Sequence, residues 1–298
     1  MAIELNRGSE GVVLPKEVSS EIWAETVKDS AVMTATRQIA LPGSGVTIPI
    51  ITGEPEAEWV AETDEKPISE HTLANKSITP YKLAVIELFS DEFRRDLAGL
   101  YGELVRRLPY ALGTAFDATV LGNKTVPGQN FDTLSDATSM AVGGTDVYKE
   151  LVGVYNAVAA GGGNLSHWLA SPTLQGQLLA ATDGFGRPLF TPDATQSNQV
   201  GTMLGRPIVG YNGFPAAATG VAGDFAGSAV WGSVEGIKVA INTEGAVVKE
   251  GQTISLFQRN MFAVRAEIEV GFRVVDKNRF VKITDGTQDE ADGTPEEG

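Results

Sequence analysis

Side chains with catalytic potential are sparse in this chain and match no known catalytic motif. Ser166 and His167 are adjacent, and serine with histidine is the pair that nucleophilic catalysis uses. Consecutive residues rarely bring their side chains into the geometry of a nucleophile and its base, and no carboxylate nearby in the sequence would orient the imidazole. We therefore expect His167 to lie at the end of a strand, and His71, the other histidine, to be solvated or in an interface.

Carboxylates are abundant, with 38 Asp and Glu residues, and they leave a hydrolase that works with two carboxylates open as an alternative. The aromatic content of 7% is low for an enzyme with a sugar-binding cleft. The glycines in 161–164 close a helical pattern instead of opening one, which indicates a helix C-terminus and not a phosphate loop. The acidic stretch 285–293 lacks the ligand spacing of a calcium loop. The sequence predicts no catalytic residue, no cofactor and no metal.

The bulk composition limits the classes of partner. The net charge of −15 opposes binding to nucleic acid through a basic groove and binding to an anionic membrane. Since the chain has no cysteine, it has no disulfide and no thiolate metal site. No apolar run approaches the roughly 20 residues that span a bilayer, and the N-terminus has no apolar signal-peptide core. We expect a protein of the cytoplasm, or of something assembled there.

Helical periodicity is strongest between Ser90 and Asn123, where apolar residues recur every three or four positions. We expect Gly99 to divide this segment into a short and a long helix, Pro109 to bend the long one and Gly122 to end it. A helix over 100–121 would be about 33 Å long at 1.5 Å per residue. This length suits a central helix of the fold.

Other helices and strands are mixed along the chain. A helical stripe follows an extended arm in 12–36, an amphipathic helix is predicted in 145–163, and Pro172 suits the first turn of another helix. Alternating or β-branched residues predict strands on both sides of a turn at 43–45, and a final hairpin or bent strand pair in 261–284. The pattern predicts a mixed α+β fold without an internal repeat.

The stretch from Glu56 to Pro80 separates two apolar, β-leaning runs, at 48–51 and 83–89. It contains one tryptophan, two prolines and a high density of charge. Loops of this length without structure of their own are uncommon in compact domains and usually have a function. Because the stretch has no catalytic machinery, we expect that function to be binding.

Five separated patches carry a family resemblance. They are IPIITGEPEAEWVAETDEKPISEHTLANKSITPYKLAVIELFSDEF, FDATVLGN, SPTLQGQLLAATDGFGRPLF, MLGRPIVGYNGFP and GDFAGSAVWGSVEGIKVAI. In their order and spacing, over about residues 12–284, they resemble the major capsid proteins of tailed bacteriophages. The first patch is similar to that family's extended loop and the strand after it, and FDATVLGN is similar to the end of its spine helix.

The resemblance implies an HK97-like capsid fold of the α+β class. It has an N-terminal arm, an extended β-hairpin loop, a peripheral domain with a long spine helix, and an axial domain. The implied bounds are 1–32 for the arm, 33–49, 85–130 and 255–285 for the peripheral domain, 50–84 for the extended loop and 131–254 for the axial domain. The polar, acidic composition of 286–298 predicts a disordered tail.

The function implied by the resemblance is that of a major capsid protein. Copies of the chain would form pentamers and hexamers of an icosahedral shell that encloses double-stranded DNA without binding it tightly. Because the fold-like sequence starts at about residue 12, we expect a separate scaffolding protein, with a portal and decoration proteins as further partners. Assembly in the host cytoplasm and a place in the virion follow. An encapsulin-type nanocompartment shell is the nearest alternative, and the two-carboxylate hydrolase is a remote one.

The extended loop is expected to lie over a neighbouring subunit. Trp59, Val60 and Ile68 would anchor it in a groove of that neighbour. The alternative is that Trp59 packs on its own subunit. The charged residues expected to pair at the rim are Glu58, Glu62, Asp64, Glu65 and Lys66.

Some members of the resembling family join a loop lysine covalently to an asparagine of a neighbour, with help from a glutamate. The lysines in the corresponding loop here are Lys66 and Lys76, and the asparagines in the corresponding half of the chain are Asn260 and Asn278. No local pattern marks a matching pair of asparagine and glutamate. The sequence therefore gives this cross-link little support.

Overall fold

The computed structural model describes residues 16–51, 73–92, 97–144, 146–182, 190 and 199–286. The helices in these residues are α1 (Lys16–Asp29), α2 (Ala31–Ala35), α3 (Leu97–Val120), α4 (Val147–Ala160), α5 (Pro172–Ala180) and α6 (Phe225–Ser228). The strands are β1 (Arg37–Ala40), β2 (Val46–Ile51), β3 (Leu73–Ile78), β4 (Tyr81–Ser90), β5 (Thr138–Val142), β6 (His167–Ala170), β7 (Gln199–Met203), β8 (Arg206–Gly210), β9 (Gly220–Gly223), β10 (Ala229–Ser233), β11 (Lys238–Asn242), β12 (Ala246–Lys249), β13 (Gln252–Ser255), β14 (Met261–Val274) and β15 (Phe280–Asp285). The predicted α+β class is confirmed.

The helical stripe predicted near the N-terminus consists of two helices that pack near α3. α1 ends at Asp29, and the Ser30 hydroxyl caps α2 by accepting a hydrogen bond from the Met33 amide at 3.0 Å. Ile22 of α1 is fully buried in the main core. The buried Thr26 hydroxyl donates a hydrogen bond to the Ile22 carbonyl of the same helix.

Helix α3 runs without a break from Leu97 to Val120, so the division predicted at Gly99 is wrong. A single glycine costs a helix only about 1 kcal/mol relative to alanine, which the buried apolar face of α3 outweighs. Pro109 lies inside the helix, and Gly122, with φ +86°, follows its last turn as predicted. The buried face of the helix consists of Leu104, Leu108, Leu112, Phe116 and Val120.

Strand β14 is the centre of a five-stranded sheet that packs on α3. β4 pairs antiparallel with it along one edge, from Met261↔Ser90 to Val270↔Tyr81. β10 and β11 pair antiparallel with the two ends of its other edge, and β1 lies parallel to β10. Side chains of a strand alternate between faces, and the even-numbered residues from Phe262 to Val274 are buried. This face and α3 form the main core.

A six-stranded sheet has the order β5-β15-β9-β6-β8-β7 and a core of its own. β15 pairs parallel with β5 and antiparallel with β9, so it joins the C-terminal end of the described chain to the middle of this sheet. Leu151, Val154 and Val158 of α4 lie in its core beside Trp168 of β6. Helix α4 ends at Ala160 and is capped by Gly161, as the glycine run predicts.

Strands β14 and β15 do not form the hairpin expected in 261–284, because they belong to different sheets. A short 3₁₀ turn at Lys277–Arg279 redirects the chain between them. Strand pairing also crosses the boundaries expected from the sequence: β10 and β11 join the sheet of β14, and β15 joins the sheet of β5. Alternation along a strand shows which residues face a core but not which sheet the strand enters. The assignment of peripheral and axial domains stays a prediction.

Candidate intersubunit interface: the β2–β3 ribbon and its anchor

Strands β2 and β3 form a two-stranded antiparallel ribbon that starts where the extended loop is predicted. Its register runs from Val46↔Ile78 to Ile51↔Leu73, and neither strand pairs with another strand in the described part of the chain. The ribbon leads into the segment 52–72, which lies outside the described residues. That segment holds every predicted anchor and rim residue, namely Trp59, Val60, Ile68, Glu58, Glu62, Asp64, Glu65 and Lys66, together with His71.

The base of the ribbon is packed tightly against the five-stranded sheet at Ile78, which is fully buried. Two glycines allow the close packing at this base, one between the ribbon strands and one between the ribbon and the sheet. Gly45 has φ +83°, and a Cβ there would lie 2.5 Å from the Ile78 carbonyl oxygen. A Cβ on Gly271 of β14 would lie 2.8 Å from the carbonyl oxygen of Thr79. A side chain at Gly45 would force the two ribbon strands apart, and one at Gly271 would push the ribbon base off the sheet.

Arg273 of β14 fixes the ribbon base by bonding to two segments, strand β3 and the loop after α3. Its Nε donates to the Ser77 carbonyl at 2.7 Å, and its Nη1 lies 2.8 Å from Oδ1 of Asp132. Nη1 also donates to the Gln129 carbonyl at 3.3 Å, and Nη2 to Oδ1 of Asn130 at 3.2 Å. The side chains of Arg273 and Asp132 are only 13% and 14% exposed. The forked geometry of a guanidinium suits it to hold several acceptors at fixed angles.

The segment that supplies Asp132 ties this anchor to the end of β14. Oδ2 of Asp132 accepts a hydrogen bond from the Val274 amide at 2.9 Å. The backbone amide of Asp132 donates to the Phe272 carbonyl at 3.1 Å. Asn130 donates through Nδ2 to the Thr79 hydroxyl at 3.1 Å, and its amide to the Tyr81 hydroxyl at 3.3 Å. The loop after α3 therefore holds both the ribbon and the start of β4.

Lys76, one of the predicted cross-link residues, contributes to the same anchor. Its Nζ donates to the carbonyl oxygens of Val274 at 2.7 Å and Val275 at 3.2 Å, and it lies 4.0 Å from Oδ2 of Asp132. These bonds within the subunit give Lys76 a positioning role at the ribbon base. The cross-link itself stays a prediction.

The other cross-link candidates lie apart from the ribbon base in the chain. Asn260 has a left-handed backbone (φ +49°), and its carbonyl oxygen accepts the Asp91 amide at 2.8 Å. Asn278 lies in the 3₁₀ turn before β15, where its amide donates to Oδ1 of Asp276. Lys66 lies outside the described residues.

Asp117 of α3 forms a second joint, between the spine and the N-terminal helices. Its carboxylate accepts the Ser30 hydroxyl at 2.5 Å and the amides of Ala31 at 2.8 Å and Val32 at 3.2 Å. The side chain is fully buried, and burial raises the pKa of Asp117 to about 7, although the three hydrogen bonds favour the charged form. α1 and α2 are thus coupled to α3 through one titratable group.

A surface groove of about 670 Å³ is lined by residues of α1 and α3, which pack against each other. Val105 and the ring of Tyr110, which is 64% exposed, supply its apolar part. Arg106 and Arg107 also line the groove, and both pair with Glu103 of the same helix. The opposite wall carries Glu25 and Asp29. Such a surface can accept an aromatic anchor with charged neighbours.

Ser166 and His167 form no catalytic arrangement. Oγ of Ser166 lies 3.1 Å from Nδ1 of His167, but it also accepts the Ala226 amide and lies 3.3 Å from the Gly223 carbonyl oxygen. Burial and then the charge of Arg206 lower the pKa of His167. His167 begins β6, so it lies at a strand end as predicted. Among the described residues no group of acidic and histidine side chains could hold a metal ion, and no helix is long and apolar enough to cross a membrane.

Comparison with known proteins agrees with this architecture. The model of the phage capsid family matches residues 10–285. The probable major capsid protein gp17 of Mycobacterium phage L5 is 31% identical over 303 residues, covering 95% of this chain and 92% of that protein.

Solved structures show the same fold. A chain from Gordonia phage Cozz superposes with a TM-score of 0.67 at 24% identity, covering 86% of both chains. One from Mycobacterium phage Adephagia gives a TM-score of 0.68 at 21% identity, covering 89% of this chain and 91% of that one. The chain therefore belongs to the phage capsid family: it is a major capsid protein of the tailed-phage type, with an HK97-like fold.

Proposed function

We propose that the β2–β3 ribbon carries the segment 52–72 onto a neighbouring copy of the chain, and that this contact helps close the shell. The observation that supports the proposal is a ribbon that pairs with no third strand among the described residues and is held firmly at its base by Arg273 and Asp132. An isolated two-stranded hairpin is marginally stable in water, so a ribbon of this kind needs a covering surface. In a shell, the adjacent copy supplies one.

In this arrangement Trp59, Val60 and Ile68 are the anchors of the contact. A tryptophan in a fitted pocket is the commonest kind of interface hot spot. The groove between α1 and α3 offers such a pocket, since Val105 and Tyr110 are apolar and accessible there.

The charged residues of the loop set its register. Glu58, Glu62, Asp64 and Glu65 bring negative charge to the neighbour, and Lys66 brings one positive charge. Pairs at an exposed rim contribute little to affinity because water and salt screen them. Their role in this proposal is to disfavour wrong alignments of the loop.

The shell encloses double-stranded DNA as pentamers and hexamers arranged with icosahedral symmetry. A net charge of −15 keeps the container from binding the packed genome tightly. Because one chain must occupy both kinds of capsomer, its contacts permit more than one curvature. We therefore assign the choice of size to a separate scaffolding protein, with a portal and decoration proteins joining during assembly in the host cytoplasm.

The anchor role of Trp59 is tested with Trp59→Ala, with Trp59→Phe as the conservative control. Both chains are expressed with the other head proteins, and particle yield is measured by sedimentation and negative-stain microscopy. We expect Trp59→Ala to reduce the yield by about tenfold or more, as for loss of a hot spot of at least 1.4 kcal/mol, and Trp59→Phe to retain most of it. Unchanged yield and thermal stability of the Trp59→Ala particles would show that Trp59 is no anchor.

A further inference from the structure

Three strands of the six-stranded sheet begin at the same end of that sheet, and each start carries a polar or basic side chain. β6 and β8 pair parallel, and β15 runs in the same direction because β9 pairs antiparallel with both β6 and β15. Ser166 and His167 lie at the start of β6, Arg206 at the start of β8 and Arg279 directly before β15. We call these four residues the strand-start cluster.

Helix α6 joins two members of the strand-start cluster. The Ala226 amide of this helix donates to Oγ of Ser166 at 3.2 Å, and Oγ of Ser228, its last residue, accepts from Nη1 of Arg279 at 3.1 Å. The glycine run after α4 lies against the same arginine, since a Cβ on Gly163 would be 2.9 Å from Cβ of Arg279. Ser166 and Arg279 are therefore held at fixed positions by one short helix.

Arg206 lies beside His167, the remaining member of the cluster. Nη2 of Arg206 donates to Oδ1 of Asn164 at 3.1 Å, and Nδ1 of His167 lies 3.1 Å from Oγ of Ser166. Burial and then the charge of Arg206 lower the pKa of His167, so the imidazole is mostly neutral at pH 7. The positive charge of the cluster thus comes from its two arginines.

The two arginines are not balanced by a carboxylate in the part of the chain that the structure describes. Both donate there to neutral oxygens, and Nε of Arg279 is buried without a hydrogen-bond partner among those residues. Asp224, the acid next to α6, is occupied by the Gly227 amide at 3.0 Å and the Ser228 hydroxyl at 2.8 Å. An oxyanion could therefore bind the guanidinium groups without breaking an existing ion pair.

We propose that the strand-start cluster is an oxyanion site that takes a phosphate group of the enclosed DNA. The inference rests on the proposed function, in which the shell encloses DNA, and is independent of where the β2–β3 ribbon docks. The forked donors of arginine match the geometry of a phosphate. Because the chain carries a net charge of −15, the contact is local, weak and dependent on salt. Repeated in every copy, it would hold the genome near the shell without tight binding.

Chemical footprinting of arginine in intact particles tests whether DNA covers the site. Particles filled with DNA and the same particles emptied of DNA are treated with phenylglyoxal, and peptide mass spectrometry gives the modification rate of each arginine. We expect Arg206 to react about threefold more slowly in filled particles and Arg259, an exposed arginine outside the cluster, to react equally in both. Equal rates for Arg206 would overturn the proposal. Protection of Arg206 in emptied particles as well would also overturn it, because protein and not DNA would then cover the site.

A second measurement uses the free chain and a fluorescent DNA duplex, with binding followed by anisotropy from about 50 to 200 mM salt. Arg206→Gln is compared with Arg259→Gln, which makes the same change of charge outside the cluster. We expect Arg206→Gln to weaken binding by about three- to tenfold more than Arg259→Gln and to reduce the salt slope by about 1. No difference between the two variants would contradict the site.

Particle yield and thermal unfolding of both variants separate this site from shell assembly. We expect Arg206→Gln to form particles in normal yield and to unfold at the temperature of the wild type, because its side chain is bonded only to Asn164 in the described structure. Weaker DNA binding with normal yield would support the phosphate site whether or not the ribbon docks as proposed. Weaker DNA binding that is accompanied by an equal loss of folded protein would contradict it.

Discussion

Arg273 and Asp132, 141 residues apart in the sequence, form a nearly buried ion pair with 2.8 Å between Nη1 and Oδ1. The same guanidinium holds the Ser77 carbonyl of the ribbon, and the same carboxylate holds the Val274 amide of the central strand. One pair thus sets the position from which the ribbon leaves the subunit. In the proposed docking of segment 52–72, that position determines where the segment reaches a neighbour.

Removal of Arg273 should destabilise both the subunit and the ribbon base. Arg273→Ala leaves Asp132 buried without its partner, and loss of one member of a buried pair costs about 3–5 kcal/mol. Thermal unfolding and hydrogen exchange of the Ser77 and Ile78 amides measure the effect. Lys28→Ala, which removes the exposed pair with Glu25, is the control and should leave both unchanged. Equal exchange in Arg273→Ala and the wild type would show that Arg273 does not fix the ribbon.

Gly45 should tolerate no side chain, in contrast with its neighbour in the same turn. Gly45→Ala forces a Cβ into a left-handed backbone and against the Ile78 carbonyl, which costs at least about 1–2 kcal/mol. Gly43 has no atom within 4 Å of an added Cβ, so Gly43→Ala is the matched control. A lower midpoint of denaturant unfolding is expected for Gly45→Ala alone. If both variants have the same midpoint, the close approach at the ribbon base is not important for stability.

Ile78 should be the apolar contact on which the ribbon base depends. Ile78→Ala empties a fully buried site and should cost about 2–5 kcal/mol. Ile86 of β4 is 49% exposed, so Ile86→Ala makes the same chemical change with a much smaller effect. Unfolding in urea gives both free energies. Similar losses in the two variants would contradict the packing described for Ile78.

The joint at Asp117 should make the N-terminal helices more stable in mild acid. The pKa of Asp117 is about 7 in the folded chain and has a reference value of 3.8, so the folded state binds the proton more tightly. This contribution is fully present below about pH 4 and is lost as the pH rises through about 7. Unfolding of the wild type and of Asp117→Asn, measured across this range, should therefore differ in pH dependence.

The asparagine variant isolates this one group from the other carboxylates. The side chain of the Asp117→Asn variant cannot ionise. Its amide NH₂ group would face an N–H donor of α2 and could not accept a hydrogen bond from it. The unfolding free energy of the variant at neutral pH should therefore be about 1–3 kcal/mol below that of the wild type. The wild type should lose stability relative to the variant as the pH rises from 4 to 7. Parallel pH curves for the two chains would show that Asp117 does not titrate in this window.

Local features of the fold follow from the sequence. The apolar face of α3, Gly122 after its end and the strand of 83–89 are where periodicity and turn chemistry predict them. The expected break at Gly99 is absent, because burial of a long apolar face outweighs the intrinsic cost of one glycine. All of these features depend on interactions between residues that are close together in the sequence.

Contacts between distant segments were not predicted. Nothing near Asp132 in the sequence indicates Arg273, although an arginine within the apolar run of β14 is a signal that an acceptor lies near it. Asp117 gives a similar signal, since it stands between Phe116 and Val120 on the apolar part of α3. The partners depend on which sheet each strand enters, and alternation does not encode this.

Electron cryo-microscopy of assembled particles tests the central claim most directly. We expect closed icosahedral shells in which segment 52–72 of each subunit lies on an adjacent copy, with Trp59 beside Val105 and Tyr110 of that copy. Density for Trp59 packed on its own subunit, or a ribbon that touches no neighbour, would contradict it.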